Sequence, residues 1–475
     1  MRKVKIKLIN GKKYAYDMKS VWDKTQKRYR KKTVYLGRVI DEEKGIYEKL
    51  NRGVSRDYGS ELILDYGDSA SIDRCINNSI YGRLFKSILF KHNDSVMGLI
   101  CYKLIQSKAM DHAETWFRGN YASKLYPKAN LSSQRISGIL KALGSEKERR
   151  KFFKSYISTT ISLDGTSGVM TDSTGMPNEI SFSLSAGGNH GGESERETRL
   201  IMVVERSTGV PLYFRYMAGN IVDVSTLSDT IAELKEMGVD TAFALIDAGY
   251  YSESNVTELY DNNISFVTRL PAERTLYKEL IKEHSADMEG VDNMVSYGRR
   301  VLYIKTVEVE LFSHTAYAHI VCDIKRKADE LTRGFIAAKQ DAISMDEFSK
   351  NMLCRGKFII LSSEEIPKEE VMPLYDTRQY AENLFGISKN NLELPLRVHS
   401  VETFRGYLML NFLALIVHKE YTRALGNDYS FEEAIMEMSN QKCKVYDNNI
   451  IISEPTKKAK HLASLLNMGV KKPEI

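Results

Sequence analysis

The 475-residue sequence holds five cysteines, Cys75, Cys101, Cys322, Cys354 and Cys443, and no two are spaced as a CxxC pair. That excludes a zinc ribbon and gives no disulfide framework, so a reduced protein is expected. The nine histidines are scattered and form no HExxH zinc motif. Gly165-Thr166-Ser167-Gly168 is not the GxSxG elbow of a serine hydrolase. The glycine-rich run from Ala186 to Gly192 lacks the Lys-Ser/Thr of a P-loop and reads as a connecting loop. No apolar run is long enough to cross a bilayer, and the start MRKVKIKLINGKK has no apolar signal core. The expectation is a soluble, cytoplasmic protein with no membrane partner.

What is present is an ordinary globular composition, 43% hydrophobic and 27% charged. The length calls for roughly two to four domains. The net charge of +6 is unevenly spread. Residues 1–38 carry 14 Lys or Arg against Asp17 and Asp23, a net +12, which leaves about −6 for the remainder. Tyr14, Tyr16, Trp22, Tyr29 and Tyr35 are interleaved with those cations. A basic, aromatic arm on a mildly acidic body is the footprint of a polyanion partner, and nucleic acid is expected. Val4, Ile6 and Leu8 alternate with charge, Asn10-Gly11 marks a type I′ turn, and Lys12–Trp22 and Tyr29–Gly37 continue the strand pattern. Residues 1–38 therefore form a small basic β-meander. Arg28, Arg30, Lys31 and Lys32 are its expected phosphate contacts, which position a protein without reading sequence.

Residues 39–155 turn helical, with helix-period apolar residues over Ile80–Leu89, Val96–Gln106 and Met110–Phe117. Ser132-Ser133 caps a helix that Gly144 ends. The pattern fits a helix-turn-helix reader of DNA or plain bundle packing without recognition. Strands begin near residue 156. Ile157–Leu163 is rich in β-branched residues and ends in Asp164. Arg199–Glu205 and Pro211–Met217 flank Ser207-Thr208-Gly209 as a hairpin. Asp223 caps a helix over Ser225–Met237. Ala242–Ile246 is a short continuous apolar run, the mark of a strand buried on both faces, and Asp247 follows it. A helix over Ser252–Asn262 and a strand over Ile264–Leu270 complete a first core part, 156–270. Residues 271–357 read as an inserted, mainly β subdomain, with a hairpin of Val301–Phe312 and Ala316–Asp323 and a helix over Lys325–Lys350. A structureless connection of that length is improbable. Phe358–Leu361 returns to the core, and 358–425 form its second part, with helices over Lys368–Phe385 and Glu402–Arg423. The tail, 426–475, holds a short helix near Phe431–Met438.

The most informative stretch is YDTRQYAENLFGISK, Tyr375–Lys389. Arg378 and Glu382 stand at i and i+4, one turn apart on one helix face, and Lys389 lies two turns beyond. Spacing alone suits an exposed ion pair as well as a carboxylate held beside a phosphate backbone. The order Tyr, two residues, Arg, three residues, Glu, six residues, Lys resembles, at all four positions, the signature of DDE transposases of the insertion-sequence four superfamily. The resemblance covers roughly residues 156–425. It implies an RNase H-like core, whose order of three strands, helix, strand, helix, strand the pattern above repeats. The expected fold class is α/β: an RNase H-like mixed-sheet catalytic core with an inserted mainly β subdomain, an N-terminal basic β-meander and a helical DNA-binding region. The resemblance also implies a carboxylate triad, read here as Asp164, Asp247 and Glu382. Asp164-Gly165-Thr166 and Asp172-Ser173-Thr174 both fit the family's Asp-x-Thr pattern. Asp164 is preferred because it ends the clearer strand and is better spaced from Gly209-Val210-Pro211. Ala248 follows Asp247 where the family often has a basic residue.

Three carboxylates about 4 Å apart repel by about 4 kcal/mol per pair at an effective dielectric near 20, so protons or cations must neutralise them. Oxygen ligands without His or Cys favour Mg²⁺, with Mn²⁺ as substitute, and two such ions suit in-line phosphoryl displacement. By resemblance, the protein binds double-stranded DNA at its element's terminal inverted repeats, cleaves it and joins the 3′ ends to target DNA. A homodimer in a synaptic complex and association with the nucleoid are also implied. Tyr375, Arg378 and Lys389 then hold DNA near the cut, the cations on phosphates and the tyrosine stacking on a base. His399 and Arg405 read as structural polar groups or DNA contacts. The rival readings are a nuclease of the same fold without strand transfer, and a catalytically inactive DNA-binding relative.

Overall fold

A computed structural model describes residues 4–468, apart from 10–11, 24–27, 43, 49–61, 107, 165–167, 178–185, 188–195, 220–226, 240–242, 341, 393–399 and 447–448. The Asn10-Gly11 turn, most of the Ala186–Gly192 loop, Asp223 and His399 lie outside the described residues. The chain divides into two compact units, residues 1–62 with 446–449, and all the rest. Among the described residues no helix is long and apolar enough to cross a membrane.

In the first unit, β1 (Val4–Ile9), β2 (Lys12–Asp23), β3 (Arg28–Asp41) and β4 (Ile46–Glu48) pair antiparallel in chain order. The expected meander is there, one strand longer. Its register sets Tyr16 opposite Tyr35 and Trp22 opposite Tyr29, with ring centres 5.4 and 4.9 Å apart. Such cross-strand aromatic pairs stabilise a sheet that buries little else. Arg28, Arg30, Lys31 and Lys32 all lie on β3, and their side chains fall outside the described residues.

A short strand β5 (Leu62–Asp65) leads into the helical region: α1 (Gly67–Asn78), α2 (Gly82–Ser87), α3 (Asn93–Gln106), α4 (Ala113–Gly119), α5 (Ala122–Leu125), α6 (Ser133–Leu143) and α7 (Glu146–Asp164). Helix α7 corrects one expectation. Ile157–Leu163 is not a strand but the last turns of this helix. Its buried residues among those described are Arg149, Phe152, Phe153, Tyr156, Ile157 and Thr160, the spacing of one helical face. The Thr159 and Thr160 hydroxyls donate to the carbonyls of Ser155 and Tyr156, four residues back. That bond reconciles a β-branched side chain with a helical backbone. Here the 3.6-residue period outweighs strand propensity.

The core follows as β6 (Val169–Pro177), β7 (Ala186–Gly187), β8 (Arg196–Glu205), β9 (Pro211–Ala218), α8 (Leu227–Glu236), β10 (Phe243–Ile246), α9 (Glu253–Asp261) and β11 (Ser265–Leu270). The strands lie in the order β9-β8-β6-β10-β11. Strand β8 is antiparallel to each of its partners β6, β7 and β9, while β6, β10 and β11 run parallel. This is the expected RNase H-like arrangement, with β6 as its first strand.

Next come α10 (Thr275–His284), β12 (Met294–Tyr297), β13 (Arg300–Leu311), β14 (His314–Asp323), α11 (Ile324–Lys339), α12 (Met345–Lys350) and β15 (Lys357–Ser362). The hairpin β13–β14 is where the alternation places it. It does not build a sheet of its own: β12, β13 and β14 extend the core sheet past β11 through β15. The single helix expected over Lys325–Lys350 is two, the second capped by Ser344. Buried His319 joins three strands, its ring nitrogens 2.8 Å from Thr306 Oγ1 and 2.8 Å from Ser362 Oγ. Burial pushes its imidazole down to about 4, so it is neutral near pH 7 and serves as a structural link.

Side-chain alternation along the sheet feeds two cores. Leu245, Val267 and Ile360 share one with the C-terminal helices; Ala244, Ile246, Phe266 and Ile359 share the other with α9 and α10. The C-terminal elements are α13 (Lys368–Asp376), α14 (Gln379–Leu392), α15 (Val401–Leu425), α16 (Phe431–Ser439), β16 (Lys442–Val445), β17 (Ile450–Ile452) and α17 (Lys457–Leu465). Helix α15 is buried along most of its length and crosses α6 at close range. A Cβ on Gly406 would lie 1.7 Å from the Leu140 carbonyl oxygen, so only glycine permits the crossing. Gly406→Ala is expected to cost about 3 kcal/mol, read as a lower urea midpoint. Gly138→Ala on α6, where a Cβ meets nothing within 4 Å, is expected to leave the midpoint unchanged or raise it.

Candidate active site

Parallel pairing sets Thr171 of β6 beside Ile246 of β10. The next residue along each is a carboxylate, Asp172 within β6 and Asp247 just past the end of β10. Met170 and Leu245, two residues earlier, face the core that the α14 and α15 side chains share. The period of two therefore turns both carboxylates toward that side. Helix α14 lies over β6 and β8, and Glu382 is in its first turn.

The β8–β9 hairpin helps seat α14. Buried Glu205 accepts hydrogen bonds from Ser207 Oγ at 2.8 Å, Thr208 N at 2.7 Å and Thr208 Oγ1 at 2.8 Å. Gly209 closes this turn with φ +65°, and a Cβ there would stand 2.8 Å from the Tyr380 ring. The turn thus tucks under Tyr380, two residues before Glu382.

The helix expected to run unbroken from Tyr375 to Phe385 is jointed. Helix α13 ends at Asp376 and α14 starts at Gln379. At the joint, the amides of Thr377 and Arg378 donate to the carbonyls of Leu374 and Tyr375, three residues back. The joint carries Arg378 to the carboxylates. Its Nη1 donates to Asp247 Oδ1 at 3.1 Å and to the Tyr375 hydroxyl at 3.1 Å, and its Nη2 lies 2.8 Å from Glu382 Oε1. The guanidinium carbon stands 5.0 Å from the Tyr375 ring centre. Tyr375 is only 5% exposed, so its ring offers no free face to a base and instead braces Arg378. Asp247 and Glu382 keep 40% and 48% of their side chains exposed, so a large substrate reaches them.

Asp172 is deeper. Burial, then repulsion from Asp247, pushes its carboxyl up to about 6; Glu382 adds repulsion, while the Ser173 amide and Arg378 pull the other way. The Ser173 N–H donates to Oδ1 at 2.8 Å. The structure therefore groups Asp172 with Asp247 and Glu382. Asp164 ends α7 instead of a strand, and its side chain lies outside the described residues. The apolar Val169-Met170 ahead of Asp172 and the Asp-Ser-Thr that follows were the available signal for this position. Lys389 is on α14, with its side chain outside the described residues. Arg405 lies with its guanidinium 5.7 Å from the Tyr216 ring centre, a structural contact.

The donors are all carboxylate oxygens, the set that suits Mg²⁺ or Mn²⁺. With Arg378 bridging Asp247 and Glu382, no three such groups among the described residues stand close enough to share an ion. The guanidinium is itself a cation between two of the carboxylates, and Asp172, raised first by burial, also meets repulsion from Asp247 and Glu382. Both features fit a site built for additional positive charge.

Comparison with curated proteins gave no match. Among solved structures, the cryo-electron-microscopy structure of a piggyBac transposase synaptic complex with hairpin DNA is similar, with a TM-score of 0.43 and 10% identity. That similarity covers 86% of this chain and 83% of the other. The family model described as the transposase DDE domain matches residues 160–417, more than half of the chain and all three grouped carboxylates. The chain belongs to the DDE transposase family.

Proposed function

We propose that this transposase cuts DNA at the ends of a bacterial-type insertion sequence and joins the freed 3′ ends to target DNA, with Asp172, Asp247 and Glu382 as its metal-holding triad. The observation that supports this most is the convergence of these three carboxylates on one open face around Arg378. Asp172, Asp247 and Glu382 would hold a pair of Mg²⁺ ions, which when bound activate an attacking water or 3′-hydroxyl and stabilise the leaving oxygen. Arg378 then releases at least one carboxylate and turns its planar fork of donors to a phosphate beside the cut. Tyr375 holds the stem of that arginine in place from below. Lys389 adds a second phosphate contact, and Arg28, Arg30, Lys31 and Lys32 grip duplex DNA from the meander. The protein works in the cytoplasm as a homodimer that brackets two DNA ends.

The test uses purified protein and Glu382→Ala with duplex DNA carrying the sequence that borders the gene, Mg²⁺ and a target plasmid. Wild type is expected to produce new 3′ ends and join them, while Glu382→Ala binds without cutting. Cutting without joining makes the protein a nuclease of the same fold. Binding with no cutting by either protein leaves a DNA-binding relative.

A further inference from the structure

A second charged site lies at the same end of the sheet as Asp247. A cavity of about 390 Å³ is lined by Arg300, Asp323, Lys325, Arg326, Asp329 and Arg333. Arg300 pairs with Asp323 at 2.9 Å and Arg326 with Glu330 at 2.7 Å. Among the described residues, Lys325 and Arg333 have no carboxylate partner. They stand eight residues apart on one face of α11, with Asp329 midway, and all three are exposed. Two cations are thus left without a carboxylate partner beside an open cavity.

The register locates this cavity relative to the carboxylates. Asp247 follows Ile246, which pairs with Thr268; Arg269 pairs with Ile360, and Ile360 with His319 of β14. Asp323 is four residues farther along β14, toward the same end. Three strand spacings sideways make about 14 Å and four residues lengthwise about 13 Å, so the separation is about 20 Å. Guanidinium groups line the way. Arg269 and Arg326 flank the Phe358 ring at 5.4 and 5.7 Å from its centre. On the other side, Asp376 of α13 accepts from the Tyr297 hydroxyl at 2.6 Å, and Arg300 sits 5.8 Å from that ring's centre. The site is therefore fixed to the helix pair that carries Tyr375 and Arg378.

We propose that the cavity between Arg300 and the Lys325–Arg333 face of α11 grips a phosphate of the same DNA duplex whose strand is cut at the carboxylates. This rests on the DNA-cutting function proposed above. Phosphates of one strand are spaced about 3.4 Å along the duplex axis, so 20 Å corresponds to a phosphate about six nucleotides from the cut. The contact carries no base recognition; it fixes where along the strand the cut falls.

The experiment measures affinity of the full chain for end-bearing duplexes, each with one neutral methylphosphonate on the cut strand, across a range of salt. Wild type is expected to lose about tenfold in affinity when the phosphate about six nucleotides from the cut is neutral. Lys325→Gln/Arg333→Gln should be indifferent to that substitution, with a log K against log salt slope shallower by about one. Asp329→Asn, which removes the exposed carboxylate between the two cations, should bind unmodified duplex more tightly. If the double variant keeps the wild-type interference and slope while wild type binds and cuts, the site is overturned and the cutting function stands. A wild-type protein that neither binds nor cuts duplex overturns both.

Discussion

Asp172→Asn is expected to abolish strand cleavage, by about a thousandfold or more, while Asp164→Asn stays within a few-fold of wild type. The physical reason is position. Asp172 on β6 and Asp247 at the end of its partner β10 occupy adjacent places, on the side where Glu382 lies. Removing one ligand charge from a metal pair removes several kcal/mol of transition-state stabilisation, and each 1.36 kcal/mol is a factor of ten. Asp164 ends a helix instead. Single-turnover cleavage of a labelled duplex separates the two. Equal losses in both variants, or a loss only in Asp164→Asn, would return the first ligand to the position the local sequence favours.

Arg378→Gln is expected to split two properties that usually move together. Mn²⁺ affinity should rise by about tenfold, because the guanidinium no longer occupies Asp247 and Glu382. The pairs are partly exposed, so together they contribute only about 1.4 kcal/mol, which sets that factor. Cleavage should nevertheless slow by about a hundredfold, since the variant cannot hold the phosphate beside the cut. Calorimetric titration with Mn²⁺ and single-turnover cleavage report the two sides. Weaker Mn²⁺ binding in the variant would mean that Arg378 shapes the ion site instead of competing for it.

The parts of the site that are local in sequence were legible there. Asp247 follows a short continuous apolar run, the mark of a buried strand, and Glu382 stands four residues after Arg378, one helical turn. Asp172 was legible only as the second choice to Asp164, because β6 carries Asp172, Gly175 and Pro177, all poor strand formers, and becomes a strand through pairing with β8 and β10. The competing segment, Ile157–Leu163, has the β-branched composition of a strand but continues a helix whose buried face, with Phe153 and Tyr156 against Phe214 and Phe412, shows only in the folded chain. Strand order is likewise not written in local pattern. The hairpin of β13 and β14 was evident from alternation, yet nothing in it says that it continues the core sheet through β15. Arg378 was expected to face DNA, and its inward pairing with two carboxylates depends on the joint between α13 and α14.

Asp172, Asp247 and Glu382 are proposed together as one metal-holding site. Anomalous diffraction from crystals of the protein soaked in Mn²⁺ tests it most directly. The expected result is manganese density within about 2 Å of carboxylate oxygens from all three residues, with Arg378 turned off at least one of them and no density at Asp164. Manganese bound through Asp164, with Asp172 uninvolved, would contradict the account.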